Sequence, residues 1–198
     1  DIDAAQAEMI TRGIKAKAVI EGPPRRAVPI LLRQTSFQAL EEPIHFRDGD
    51  RPHTARLGEI EQRGIALTPR GRALYDEMLA EADAGSFARF PDDLATIRAE
   101  GLAYFTYARA HGTKGPLPDG SVEELVDAGI LTATPITYED FLPVSAAGIF
   151  RSNLAQGEQA SLAMQSSQGE FEAALGVPCL DPFGLYLDQE QASIEALA

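Results

Sequence analysis

HTARLGEIEQRGIALTPRGRALYDEM, residues 53 to 78, joins a strand pattern to a helix start and carries two carboxylates, Glu59 and Glu61, inside the strand. Side chains alternate across a strand, so Leu57, Glu59 and Glu61 share one face while Arg56, Gly58, Ile60 and Gln62 share the other. Burying an unpaired carboxylate costs on the order of several kcal/mol. The acidic face is therefore wet, paired with Arg56 or Arg63, or bound to a cation. From the residues alone three readings stay open: a solvated, salt-bridged edge strand, two carboxylates poised for acid–base work, or one carboxylate that ligates a metal. Downstream, Thr68-Pro69 puts proline at the first helical position, and RGRALYDEMLAEA lines Ala73, Leu74, Met78 and Leu79 along one side of a helix.

Working outward, DIDAAQAEMITRG predicts a short helix with Asp3 as cap and Gly13 as stop. KAKAVIEG, residues 15 to 22, reads as a strand entering the Gly22-Pro23-Pro24 turn, and AVPILLRQTSF has the length of one buried strand. FQALEEP is either a helical turn or irregular, RDGDRP is a turn, and TARLGEIEQRGIAL is the third strand. Residues 1 to about 67 thus read as helix, strand, strand, strand, and residues 68 to 198 as a mainly helical covering region. In that region DLATIRAEGLAYFTYARAHG predicts a helix pair broken near Gly101. SVEELVDAG is a helix with Ser121 and Glu124 in capping-box spacing. TPITYEDFLPVSAAGIFRSNL has mixed strand or loop character, QASLAMQSSQGEFEAALG is helical up to Gly176, and DQEQASIEALA is a polar tail. The fold class expected is α+β.

The 198 residues are 44% hydrophobic and 24% charged, a balance sufficient for a real core. A net charge of −13 argues against nucleic acid or an anionic membrane as partner, since both require clustered Lys and Arg. A small molecule or a protein is the expected partner. No apolar run approaches the roughly 20 residues of a membrane helix. The lone Cys179 excludes an intrachain disulfide framework and makes the cytoplasm the expected compartment. A start at Asp1, in what reads as a helix opening, suggests a fragment.

Among chemistry-bearing residues, His45, His53 and His111 show no helical ligand spacing. Cys179 has no evident His partner and reads as a small buried hydrophobe. Ser36 and Ser145 lack the Gly-x-Ser-x-Gly elbow of a hydrolase, and no dinucleotide or P-loop fingerprint is present. Arg33, inside an apolar run, must be paired. Either a core carboxylate or a bound anion satisfies that need.

Three segments, ILLRQTSFQALEEP, HTARLGEIEQRGIALTPRGRALYDEM and YEDFLPVSAAGIFRSNL, taken in this order, closely resemble the 2-oxoadipate dioxygenase/decarboxylases, also called 2-hydroxyglutarate synthases. The resemblance covers nearly the whole chain. It implies a vicinal-oxygen-chelate type fold of β-α-β-β-β modules around Fe(II), of which this chain would hold an incomplete module with the first strand missing. It further implies two histidines and a glutamate as iron ligands, a set that leaves positions open for substrate and O2. Glu59-Ile60-Glu61-Gln62-Arg63 is similar to the Glu-Ile-Ile-Gln-Arg segment of 4-hydroxyphenylpyruvate dioxygenases, whose first Glu binds iron. Glu59 is the ligand by that match, with Glu61 as the alternate. The family's histidine ligands and substrate-binding arginine would precede Asp1, in a missing N-terminal part of the same protein. Val144 and Ser145 are the implied substrate contacts, through a backbone N–H and a hydroxyl. The activity implied is O2-dependent conversion of 2-oxoadipate to 2-hydroxyglutarate with loss of CO2, as in lysine breakdown. A non-catalytic binding protein, another 2-oxo acid oxygenase and a glyoxalase-like isomerase are the rivals, because fold does not fix chemistry.

Overall fold

The computed structural model describes residues 1–38, 40–47, 49–55, 58–81, 86–139 and 168–197, and these form an α+β chain with small antiparallel sheets. They fall into two compact units: the described residues of the first lie within 1–23 and 31–64, those of the second within 24–30, 65–139 and 168–197.

In the first unit, α1 (Ile2–Thr11) buries Ile2 and Met9. Its cap is Asp1, whose carboxylate accepts from the Asp3 and Ala4 amides, so Asp3 is released for a different task. Gly13 ends the helix at φ +76°, a conformation glycine adopts without steric cost. The expected strand over residues 15 to 22 shortens to β1 (Lys15–Ala16), with Glu21 joined to Gln34 by an isolated bridge. β2 (Leu32–Gln38) is the central strand of a three-stranded antiparallel sheet, between β1 and β5 (Gly58–Arg63). β3 (Leu40–Phe46) and β4 (Gly49–Ala55) form a separate hairpin.

Two expectations are corrected here. FQALEEP contributes β3 and is not a helical turn, because the ladder to β4 overrides the weak local preference of its glutamates and proline. Pro43 and Pro52 stand opposite each other in that ladder. The third strand expected across residues 54 to 67 is divided between β4 and β5.

In the second unit, α2 (Pro69–Ala80) starts as expected. Thr68 Oγ1 accepts from the Gly71 amide and donates to the Gly101 carbonyl. A 3-10 turn (Ser86–Arg89) and α3 (Leu94–Ala99) follow. The Arg26 guanidinium donates to the carbonyls of Phe87, Phe90 and Pro91 and lies over the Phe90 ring, which ties residues 24–30 into this core. The almost fully buried side chains of this unit include Ile30, Ile65, Leu67, Met78, Phe90, Ile97, Leu102 and Phe105.

The helix pair expected over 93 to 112 is overturned after Gly101. Residues Phe105–Arg109 form β6, paired antiparallel with β7 (Leu131–Pro135). Aromatic Tyr104, Phe105 and Tyr107 suit a pleated, half-buried surface, and β7 supplies the matching ladder. Between them α4 (Val122–Asp127) carries the expected capping box of Ser121 and Glu124. α5 (Gln168–Leu175) ends before Gly176 as expected. The polar tail is in fact the second half of α6 (Pro182–Glu195), started by the Asp181 cap with proline in its first turn. Cys179, between α5 and α6, is exposed and not a buried hydrophobe.

α6 lies along β6 through two polar contacts: the Phe105 amide donates to Glu190 Oε1 at 2.8 Å and the Tyr107 amide to Ser193 Oγ at 3.0 Å. Partial burial raises the Glu190 carboxyl above its ordinary range; the Phe105 amide opposes this and the Glu123 charge adds to it. Because the folded-state value is raised, the stability linked to protonated Glu190 is full below the unfolded value and is lost as pH rises through the folded one. Glu190→Gln keeps an oxygen for the Phe105 amide and removes the charge. Its stability advantage over wild type is therefore expected to grow from about pH 4 to about pH 7. Solvent screening at this partly exposed position keeps it under about 1 kcal/mol. Thermal melts of both proteins across that range check this, and parallel curves would reject it.

Candidate functional site

The sheet of the first unit has two chemically different faces. On one, the guanidinium of Arg33 donates to both oxygens of Asp3 on α1, at 2.8 and 3.0 Å, and to Gln62 Oε1 at 2.9 Å. A protein carboxylate thus answers the pairing that a buried arginine requires. Phe37 covers Gly58 on this same face, so closely that a Cβ at Gly58 would lie 1.9 Å from the ring. The aromatic ring over glycine, together with the Arg33 clamp, fixes the register of β2 against β5.

That register decides what the other face carries. Ser36 stands opposite Glu59 and Gln34 opposite Glu61, while Glu21 bridges Gln34 from the far side. The Lys17 amide donates to the Ser36 carbonyl. The sheet therefore presents two transverse rows, Lys17–Ser36–Glu59 and Glu21–Gln34–Glu61. Lys17 Nζ is ion-paired to Glu21, Gln34 Nε2 points at Glu21 Oε2, and Arg63 holds Glu61 Oε2 at 2.9 Å.

Glu59 differs from its two acidic neighbours. Among the described residues it has no cationic or hydrogen-bonding partner, and its carboxyl is raised above the usual carboxylate range by loss of hydration, then by the charges of Glu61 and Glu21. The charges of Glu61 and Glu21, the lesser causes of that rise, favour a cation beside Glu59 as they favour a proton. Glu59 thus fits one oxygen ligand of a divalent ion. Among the described residues no three His, Cys, Asp or Glu side chains are grouped to hold one, so the remaining ligands of a three-residue set are not found there.

Of the other residues singled out from the sequence, His45 and His53 lie in the β3–β4 ladder opposite Asp50 and Glu42, and His111 is exposed. Val144 and Ser145 lie outside the described residues. No described helix is long and apolar enough to cross a membrane. Glu21, Gln34 and Ser36 were not marked by the sequence as site residues. The available signal was in β2 itself, where Arg33, Gln34, Thr35 and Ser36 form four consecutive buried polar residues.

Comparison with known proteins agrees with the resemblance. A family model described as 2-oxoadipate dioxygenase/decarboxylase matches residues 1–153. A protein of that name from Pseudomonas putida is 49% identical over 224 aligned positions, covering 100% of this chain and 48% of the relative. One from Escherichia coli is 49% identical over 211, covering 98% of this chain and 47% of the relative. The chain spans about half the length of the curated relatives it matches. A crystal structure of hydroxyglutarate synthase from Pseudomonas putida in complex with 2-oxoadipate superposes with a TM-score of 0.79 at 44% identity, over 100% of this chain and 48% of that one. With a family model over most of its length, relatives near half identity and a matching fold, the chain belongs to the 2-oxoadipate dioxygenase/decarboxylase family.

Proposed function

We propose that the protein is an Fe(II)-dependent dioxygenase/decarboxylase that converts 2-oxoadipate and O2 to 2-hydroxyglutarate and CO2, acting in the cytoplasm in lysine breakdown. In this reading α1, β2, the β3–β4 hairpin and β5 are the later part of a vicinal-oxygen-chelate type module. Its first strand, the two histidine ligands and a substrate-binding arginine come from a part of the protein before Asp1. Glu59 is the iron ligand in this chain. Glu61, neutralised by Arg63, supports it from the adjacent row. The observation that carries the reading is the setting of Glu59, a carboxylate at the position matching an iron-binding Glu, without a cation among the described residues and flanked by Glu21 and Glu61.

Bound there, Fe(II) would supply open positions at which a 2-oxo acid and O2 meet. The chain's own residues contribute geometry and charge. β5 holds Glu59 on a rigid strand, the Arg33–Asp3–Gln62 clamp on the reverse face keeps that strand in register, and the Val144-Ser145 segment grips the substrate through a backbone N–H and a hydroxyl. Oxygen uptake by the full-length protein tests the reading. Uptake that requires both Fe(II) and 2-oxoadipate is expected, and residues 1–198 alone are expected to show none. Steady uptake by the 198-residue chain would place all the ligands within it and return His45, His53 and His111 to consideration.

A further inference from the structure

From Gly169 to Pro182 every residue is exposed except Glu172, which is half-buried. The stretch is nevertheless apolar, with Phe171 57% and Leu180 76% exposed and Leu175 and Val177 exposed between them. Isolated helices shorter than about 12 residues are marginal in water, so the eight-residue α5 needs a surface to lie on. α6 repeats the anomaly. It turns Tyr186 toward Tyr104, and Glu190 and Ser193 toward the amides of β6, yet none of its residues is buried and Leu185 and Leu187 are exposed. A surface helix ordinarily buries its apolar stripe and exposes its polar one.

Exposed apolar side chains gathered on one short segment mark an interaction surface, and charge and chain length together narrow what covers it. Residues 168–198 carry six acidic side chains and no lysine, arginine or histidine. Pairing of this segment with itself in a second copy would set like charges together, and an anionic lipid surface would be repelled. The relatives from Pseudomonas putida and Escherichia coli match essentially all of this chain with about half of their own length, which supports about as much polypeptide again in the full-length protein. A segment of the same polypeptide is held at high effective concentration and needs no second molecule.

We propose that α5 and the start of α6 form the docking surface for the part of the full-length protein outside residues 1–198. The inference rests on one element of the function proposed above, that the protein extends beyond this chain.

Two measurements on the full-length protein test it. Neither needs iron or turnover, so an inactive protein that meets both expectations removes the proposed function alone. Hydrogen exchange at the α5 amides is expected to be roughly hundredfold or more slower than in an unfolded chain. Exchange at the unfolded rate overturns the inference, because a helix of this length frays when nothing covers it. Benzoylphenylalanine in place of Phe171, photoactivated and followed by peptide mapping, is expected to join position 171 to a peptide outside residues 1–198 of the same molecule. Cross-links confined to residues 1–198 would show that this chain covers itself, and a product of twice the monomer mass would show a second copy. Either result overturns the inference, as does a folded variant that forms no cross-link.

Discussion

Replacing Glu59 with glutamine in the full-length protein is expected to abolish tight Fe(II) binding and, with it, turnover of 2-oxoadipate. The amide preserves shape and volume but removes the negative charge, and a hard divalent cation binds a neutral amide oxygen far more weakly than a carboxylate. Glu61→Gln is expected to weaken iron binding less, because the Glu61 charge is already spent on Arg63 at 2.9 Å. The contrast between the two variants matters more than either alone. They share a face of the same strand, so a general disturbance of β5 would affect them alike, whereas a ligand and its supporting neighbour would not. Metal analysis after gel filtration is the measurement. Wild-type iron content in the Glu59 variant would reject the assignment, and greater loss in the Glu61 variant would exchange the two roles.

The second large effect concerns the fold. Gly71 lies in the first turn of α2, where an added Cβ would sit 1.9 Å from the carbonyl oxygen of Leu102 and 2.8 Å from its carbon. Both atoms are backbone, so no side chain can swing aside. Alanine is the better helix former by about 1 kcal/mol, but here α2 would have to move away from residue 102. The Thr68 contacts to the Gly71 amide and the Gly101 carbonyl would be lost with that movement. Gly71→Ala is therefore expected to destabilise by about 3 kcal/mol or more, overpacking against backbone outweighing propensity. Arg70→Ala, at the exposed position beside it, should change stability by about 0.5 kcal/mol or less. Denaturant unfolding of the two variants compares them directly, and equal midpoints would contradict the close packing.

What the sequence disclosed and what it concealed follow from the range of the interactions involved. β2 was legible because AVPILLRQTSF is a short stretch of strand length that opens on an apolar run and follows the Gly22-Pro23-Pro24 turn. Glu59 and Glu61 were legible as face-mates because parity along a strand is a purely local property. The α2 start and the Ser121 capping box were legible for the same reason, since both are contacts between residues three apart. β3, β6 and α6 were not. β3 and β6 are strands by virtue of partners, Gly49–Ala55 for the first and Leu131–Pro135 for the second, that local composition does not announce. α6 looked like a polar tail because the residues that dock it, Glu190 and Ser193, are themselves polar and bond to strand amides. Arg33 was seen to need a partner, but Asp3 lies thirty positions away and reads locally as a helix cap. Glu21 and Ser36 joined the acidic face only through register, the least local of these properties. The proposed upstream histidines and arginine, and the proposed Val144-Ser145 contacts, rest on family resemblance and on no pattern within the chain.

The central claim is that this family member inserts O2 into a 2-oxo acid as it loses CO2, and isotopic oxygen tests it most directly. Loss of CO2 from 2-oxoadipate leaves a five-carbon fragment that lacks 2-hydroxyglutarate by two oxygen atoms, so a dioxygenase must deliver both atoms of one O2 to the product. The full-length protein, incubated with Fe(II), 2-oxoadipate and labelled O2, is expected to yield 2-hydroxyglutarate carrying both labelled atoms, one equivalent of CO2 accompanying each O2 consumed. Unlabelled 2-hydroxyglutarate, or bound 2-oxoadipate recovered unchanged while oxygen is not consumed, would contradict it.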